Sequence, residues 1–574
     1  MPEPPARPNL TPRVLALLGF TASALGLWQL GKAYDDFRLP QQGVNLLPER
    51  ELAFYAYYTL CGSVALGCAL FALNGARWVH RLSLALRKLS ERPAQLCLAV
   101  SAAVFFTSLG VRRLVLHGQP IADDETTYLF IARTLLAGRL SNPAPADPDF
   151  FRNQFIVLNE GGWYGKYPIG HPLLLAPFEA LGLVDLAMPL VAAGCVPLCY
   201  ALGRRWFAQG PALCASVLLL ASPHFVWTAG TLLSQTTGAF VLLLGTYWAL
   251  RAQESQRASF ALLAGAAFGF GILVRPLPGA LFALGACAWA LSWIAAARPP
   301  ERARSLVRVL AFGVPVALGG VALLAVNHAQ TGHALSSGYH EVHGSVPMLS
   351  NRDGQLASSV FGAVLRESFW LFGVPGSLLP VLLARPVRHA ALFWAPIWAQ
   401  LLYRVLYPKT VVGSTGPIYL TEIVPLLALA AVDGVQRARR AWPALQLRAS
   451  PLVIGLLLTA ACMFVPVQWR TLRRAADARS HVFRMLEQSQ AERALVFSDA
   501  LVFPGSGHSW AYYPDNPAPD LQDPVIFVRV PRANVLLNIR DFWQRRFSDR
   551  RAFVYSWSKE GTPLFRELGP EEGR

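Results

Sequence analysis

Hydrophobic runs of bilayer length, interrupted by short arginine clusters, recur along this chain and leave it few folds to adopt. Leu96–Val111, Gly230–Leu250, Leu310–Val326 and Pro451–Val467 are apolar stretches, comparable with the about 17–25 residues that a helix needs to cross a hydrocarbon core. Backbone in lipid must satisfy its own N–H and C=O groups, so such runs fold as helices. Composition agrees. Of 574 residues, 54% are hydrophobic and only 15% charged, against about 25% charged in an ordinary soluble domain. The mean hydropathy is +0.37. An all-α polytopic membrane protein with about thirteen transmembrane helices is expected.

The net charge of +17 does not point to nucleic acid. The basic residues form short clusters between apolar runs: Arg77/Arg81/Arg87/Lys88/Arg92, Arg204/Arg205, Arg251/Arg257, Arg302/Arg304/Arg308, Arg385/Arg388 and Arg437/Arg439/Arg440. This alternation is the positive-inside pattern and reports topology. With each cluster cytoplasmic, the N-terminus is inside and the first run, Val14–Leu30, is a retained anchor without a convincing cleavage site. His117–Tyr167, the surroundings of Arg275, Asn327–Leu356, Tyr407–Pro417 and the tail from Gln468 to Arg574 then lie outside. The 8 cysteines all fall in apolar segments and read as small core residues. Pro172, Pro177 and Pro189 interrupt Pro168–Leu202, which suggests a broken helix there.

Three regions follow: 1–93, two helices and a basic cytoplasmic loop; 94–468, the membrane core with an external loop at 117–167; and 469–574, a small external domain. Ala494–Ser498, Val525–Val530 and Ala552–Trp557 read as strands of that domain, with Ser480–Ala494 and Asn534–Phe547 helical.

Chemistry concentrates in the loop. Asp123, Asp124 and Glu125 are followed by Tyr128, Ile131, Ala132, Leu135 and Leu136 at helical spacing, and Gly138 supplies a stop. That pattern is an amphipathic surface helix with carboxylates at its N-terminus. One acid would suffice as a cap. Three at an interface exceed that need. Further on, Lys166 stands among Trp163, Tyr164 and Tyr167 where an apolar segment begins, either as a snorkelling lysine in an aromatic belt or as a functional cation. His328, His333, His340, Glu341 and His343 gather near Asn327, but their spacing matches no familiar ligand set.

The ordered series of motifs resembles a family. The acidic pair with Tyr128 and a helix ending Gly-Arg-Leu is similar to the first external loop of GT-C membrane glycosyltransferases. The bacterial protein-mannosyltransferase and aminoarabinose-transferase type, glycosyltransferase family 39-like, is the nearest group. Lys166, Tyr167, Pro168 and Gly170, with Leu173–Pro177, resemble its second signature. Arg275-Pro276, Asn327 with Thr331-Gly332, Gly416-Pro417-Ile418-Tyr419 and the tail segment Asn534–Tyr555 extend the likeness from about residue 94 onward.

The resemblance implies transfer of a sugar from a polyprenyl-phosphate donor on the periplasmic side of a bacterial inner membrane, with inversion. The acceptor, a lipid, glycan or protein, is not encoded. Asp124 matches the general base, with Glu125 in the acidic pair and Asp123 as an additional acid. Lys166 and Arg275 are the candidates for donor phosphate; Arg275 lies outside, against the charge bias. Tyr128, Tyr167, His171, Asn327, Tyr339 and Tyr419 are candidate substrate-binding residues. No cofactor or metal is expected, although acids could hold a divalent ion. The alternatives are another lipid-linked glycan enzyme, of the O-antigen polymerase or ligase type, and a secondary transporter. An early acidic motif argues against the first, and the lack of repeats and mid-span charges against the second.

Overall fold

A computed structural model describes residues 91–344 (except 154 and 161), 366–385 (except 375), 389–406, 415–442, 455–498, 517–530, 539–557 and 563–569, with isolated positions elsewhere. The two expected N-terminal helices and the Arg77–Lys88 cluster lie outside the described residues, as does most of Tyr407–Pro417.

The described chain begins with α1 (Pro93–Gly110), which ends in a π turn, Val111–Val115. A loop carries α2 (Asp123–Leu136), then the hairpin β1 (Ile156–Asn159) and β2 (Gly162–Gly165). The hairpin pairs antiparallel, with Ile156 opposite Gly165. Next come α3 (Gly170–Ala180), α4 (Val184–Trp206), α5 (Gln209–Leu220) and α6 (Pro223–Ala229). The core continues with α7 (Ser234–Ser255), α8 (Ala258–Val274), α9 (Pro276–Ala295) and α10 (Arg302–Thr331). Short helices α11 (Gly338–His343) and α12 (Leu379–Leu383) precede α13 (Ala390–Leu406). A 3-10 turn, Ile418–Ile423, leads into α14 (Val424–Ala441).

Among the described residues, five helices are long and apolar enough to cross a membrane. A sixth results if α5 and α6, bent by 55°, form one span, and α8 and much of α13 are apolar but shorter. The bundle core runs through Ala192, Cys195, Leu242, Phe268, Ala286, Phe312 and Leu429. Leu284, Leu291, Leu318 and Val321 face outward and are exposed, as helices facing lipid require. This is a multi-pass membrane protein.

Pro168–Leu202 is broken, but not at a proline. Pro177 lies inside α3 and Pro189 inside α4, while the chain reverses at Gly182, whose φ of 67° is left-handed. Glycine adopts that conformation without the Cβ clash that other residues meet.

The tail starts with α15 (Val465–Ser489), longer than the sequence pattern indicates and spanning the expected boundary at 468/469. Its sheet comprises β3 (Ala494–Ser498) and β4 (Val525–Arg529), then α16 (Ile539–Arg546), β5 (Arg551–Trp557) and β6 (Pro563–Glu567). The order is β4-β3-β5-β6, with β6 antiparallel to β5 and the other pairs parallel.

Candidate active site

The acid turn opens α2, and its three carboxylates point to three different places. Glu125 is fully buried. Its Oε1 accepts the Ile121 and Ala122 backbone N–H groups at 2.9 and 3.2 Å, so it caps its own helix. Its Oε2 accepts the Leu232 N–H at 2.8 Å and lies 3.7 Å from Arg112. Burial pushes the Glu125 carboxyl up, and Arg112 with the Leu232 and Ile121 N–H groups pulls it back. Asp123 is also buried, 3.6 Å from Arg479 of α15. Burial raises its pKa to about 7, against the pull of Arg479. Asp124 alone is half-exposed. It accepts a hydrogen bond from the Tyr167 hydroxyl.

Around Asp124 the distant motifs converge. The Tyr128 ring lies 4.7 Å from Tyr167 and 4.7 Å from His171, and Tyr339 from α11 closes on Tyr167 at 5.5 Å. Burial holds the Tyr167 phenol well above its usual range, with Asp124 adding to it, so it remains a donor. Lys166 is buried with its Nζ 3.2 Å from the Phe155 ring centre, 4.8 Å from Tyr167 and 5.2 Å from Tyr339. Aromatic faces attract a cation, and more strongly when water is excluded.

On the opposite side, Arg275 sits at the sharp junction of α8 and α9. A Cβ on Gly279 would lie 2.4 Å from the Gly271 carbonyl, so only glycine permits this junction to close. Arg275 Nε pairs with buried Glu422 at 2.5 Å. Its Nη1 donates to Ser234 Oγ at 3.3 Å, and that hydroxyl also meets the Tyr128 hydroxyl at 3.1 Å. The guanidinium lies 5.5 Å from the Tyr419 ring. Tyr128 and Ser234 therefore link the acid helix to the arginine.

Arg275 and Glu422 line a small cleft together with Gly238, Phe268, Gly271 and Phe282. The Glu422 turn is itself anchored from below. The Thr421 hydroxyl meets His224 Nε2 at 2.9 Å, and His224 Nδ1 lies 2.8 Å from Glu367. All three residues are buried.

Two expected substrate-binding residues are used internally. His171 is fully buried, with Nε2–H donating to the Leu232 carbonyl at 2.7 Å and Nδ1 facing Thr237 at 2.9 Å. Burial drives its pKa down to about 4, which leaves it neutral. Asn327 donates its amide to the Ala334 carbonyl at 3.3 Å, bracing the loop that carries Tyr339. The histidines near it form no cluster: among the described residues, no group of three metal-type ligands assembles.

Helix α2 has protein on both sides, where its amphipathic pattern suggested one packed face. Phe130 packs against Trp163 and the tail, and Ile131 lies in a cluster with Leu175 of α3, Ala187 of α4 and Leu232. The sequence reading also missed Ser234, Glu422, His224, Glu367 and Arg479. Glu422, an acid inside the apolar run Ile418–Val432, carried the one available signal.

The bundle, with an acidic loop at one end and a small tail sheet beside it, has known counterparts. Residues 177–323 match the family described as dolichyl-phosphate-mannose-protein mannosyltransferase. Among solved structures, ArnT from Cupriavidus metallidurans bound to undecaprenyl phosphate is similar over 81% of this chain and 93% of its own, at 17% identity and a TM-score of 0.52. The apo state of the same protein gives 0.51 at the same identity and coverage. The chain shares the fold of that membrane protein. The GT-C resemblance carried by the ordered motifs is borne out, although no curated protein matches the chain in sequence.

Proposed function

We propose that this GT-C protein is an inverting glycosyltransferase. It takes a sugar from a polyprenyl-phosphate-linked donor and transfers it to a lipid, glycan or protein acceptor on the periplasmic side of a bacterial inner membrane. The observation that carries the reading is the placement of Asp124. It is the one acid of the turn that reaches solvent, and it lies in a cluster with Lys166 on one side and Arg275 on the other.

In the reaction, an acceptor hydroxyl oxygen attacks the anomeric carbon, and its proton passes to the Asp124 carboxylate. The carbon–oxygen bond to phosphate breaks with its electron pair, leaving polyprenyl phosphate. Tyr167 donates to Asp124 and fixes its orientation. Lys166 and Arg275 neutralise the charge that grows on the leaving phosphate, as paired cations do in a water-poor site. The neighbour solved with undecaprenyl phosphate supports that ligand class. The role assigned to Glu125 is anchoring the turn, not proton transfer.

The test is transfer from a panel of polyprenyl-phosphate sugars in nanodiscs. Asp124→Asn keeps size and much of the hydrogen bonding but not the base, and turnover should fall about 10²–10⁴-fold. Donor binding should persist. Full turnover in this variant would remove Asp124 from the base role, and absence of donor binding in the wild-type chain would remove the reading.

A further inference from the structure

Asp124 is not held in place by its own contacts alone; its two neighbours are gripped from opposite sides. Glu125 is tied to the bundle through the Leu232 N–H and Arg112. Arg112 is in turn held by Asp185 at 2.8 Å and the Gln119 carbonyl at 3.0 Å. Asp123 faces the tail helix α15, where Arg479 lies 3.6 Å away. Both partners are buried, at 2% and 1% side-chain exposure. The Asp123 backbone carbonyl accepts the Thr126 and Thr127 hydroxyls at 3.0 and 2.8 Å, which stiffens the same turn.

From these contacts we propose that Arg479 is a positioning residue: by pairing with Asp123 it sets the acid turn and so aims Asp124.

Three further observations support this role. Helix α15 is firmly seated, with Leu472 and Ala476 packed against Val111, Val115 and Trp227, so Arg479 arrives from a rigid element. On its flank, His117 meets Asp477 at 3.0 Å. Arg479 is also the group that most strongly opposes the effect of burial on the Asp123 carboxyl. The charged groups facing Asp123 are Arg479 from α15, Lys166 beyond β2 and the neighbouring Asp124. Arg479 also acts on Glu125. A buried carboxylate that loses its cation takes up a proton rather than remain charged. Arg479 therefore lowers the pH at which Asp123 ionises, offsetting part of the effect of burial. Without it, ionisation of Asp123 moves to higher pH, and the turn loses its attachment to the tail.

The inference rests on the sugar-transfer reading for its kinetic arm only. In nanodiscs with the full chain, Arg479→Gln should lower kcat about ten- to hundred-fold while donor KM stays within about two-fold. The acid limb of kcat should move to higher pH, and Arg479→Lys should restore part of the rate. The double variant Asp123→Asn/Arg479→Gln should be no worse than Asp123→Asn, because the partner is already gone. Hydrogen exchange provides the second arm and needs no turnover: residues 125–128 should exchange faster in Arg479→Gln, with no further gain in the double variant. Additive losses, an unmoved pH limb, a loss confined to donor KM, or unchanged exchange in this turn would each overturn the proposal. If no donor supports transfer in the wild-type chain, the sugar-transfer reading fails and the exchange arm alone decides the role of Arg479.

Discussion

Lys166 lies in a cage of Phe155, Tyr167 and Tyr339. A buried ammonium is costly unless aromatic faces or counter-charges compensate for lost water. A phosphate entering beside the cage would supply a charge-assisted partner. In Lys166→Met the stem still fills the cage while the charge is lost. A hydrogen bond to a charged group is worth about 1.5–3 kcal/mol, so donor affinity should weaken roughly ten- to hundred-fold. Titration with the bare lipid phosphate would read this directly. Unchanged affinity would restrict Lys166 to a packing role. The sequence left Lys166 open between these two roles because a lysine among aromatics is equally the pattern of an interfacial belt. The fold adds that Lys166 is buried beside Tyr339, which lies far along the chain, and the titration separates the two roles.

At the scale of the element, the N-terminus of α2 divides its acids by position. Helix periodicity placed the three carboxylates on the first turn, and the helix does begin at Asp123 and give way to left-handed Gly138 after Leu136. Local pattern could go no further. Which acid faces the core depends on Leu232 and Arg112, and which faces the tail depends on Arg479; none of these is close in sequence. The assignment is testable by comparing Glu125→Ala with Glu125→Gln. The alanine variant strands three backbone N–H groups, each costing about 1–3 kcal/mol when buried. It should melt at a lower temperature and exchange hydrogen rapidly at Ile121, Ala122 and Leu232. The glutamine variant keeps an acceptor oxygen and should lie between, with turnover well above that of Asp124→Asn. A Glu125→Gln protein of native stability and no turnover would instead make Glu125 the base. The same limit applies to the Arg275 junction. The sequence located the arginine at a helix end, but its partner Glu422 and the His224–Glu367 pair beneath it come from helices brought together only by bundle packing.

Over the whole molecule, the tail packs directly onto the acidic loop. Phe150 of the loop stacks on Phe542 of α16 with ring centres 3.9 Å apart, and Phe497 of β3 completes the contact at 6.2 Å. Arg133 of α2 lies 3.7 Å from Asp523, and Asp147 meets Arg545 and Arg546 at 3.6 and 2.9 Å. The strand patterns of the tail were readable, because alternation and apolar runs are local. The docking was not, since Phe150 and Phe542 look like ordinary core residues until both sides are placed. The exposed ion pairs should contribute little, because water and salt screen them. The aromatic stack should dominate, because truncating a buried phenylalanine costs about 3–5 kcal/mol. Phe542→Ala should therefore loosen the tail from the loop while leaving the bundle intact, whereas Arg546→Ala should change little. Limited proteolysis between residues 494 and 569 would detect the difference, with bundle melting followed in parallel. If Phe542→Ala raises cleavage there and slows transfer without altering donor binding, the tail acts on the acid turn through its seating. Faster cleavage with an unchanged rate would show that α15 and Arg479 remain in place independently of the sheet.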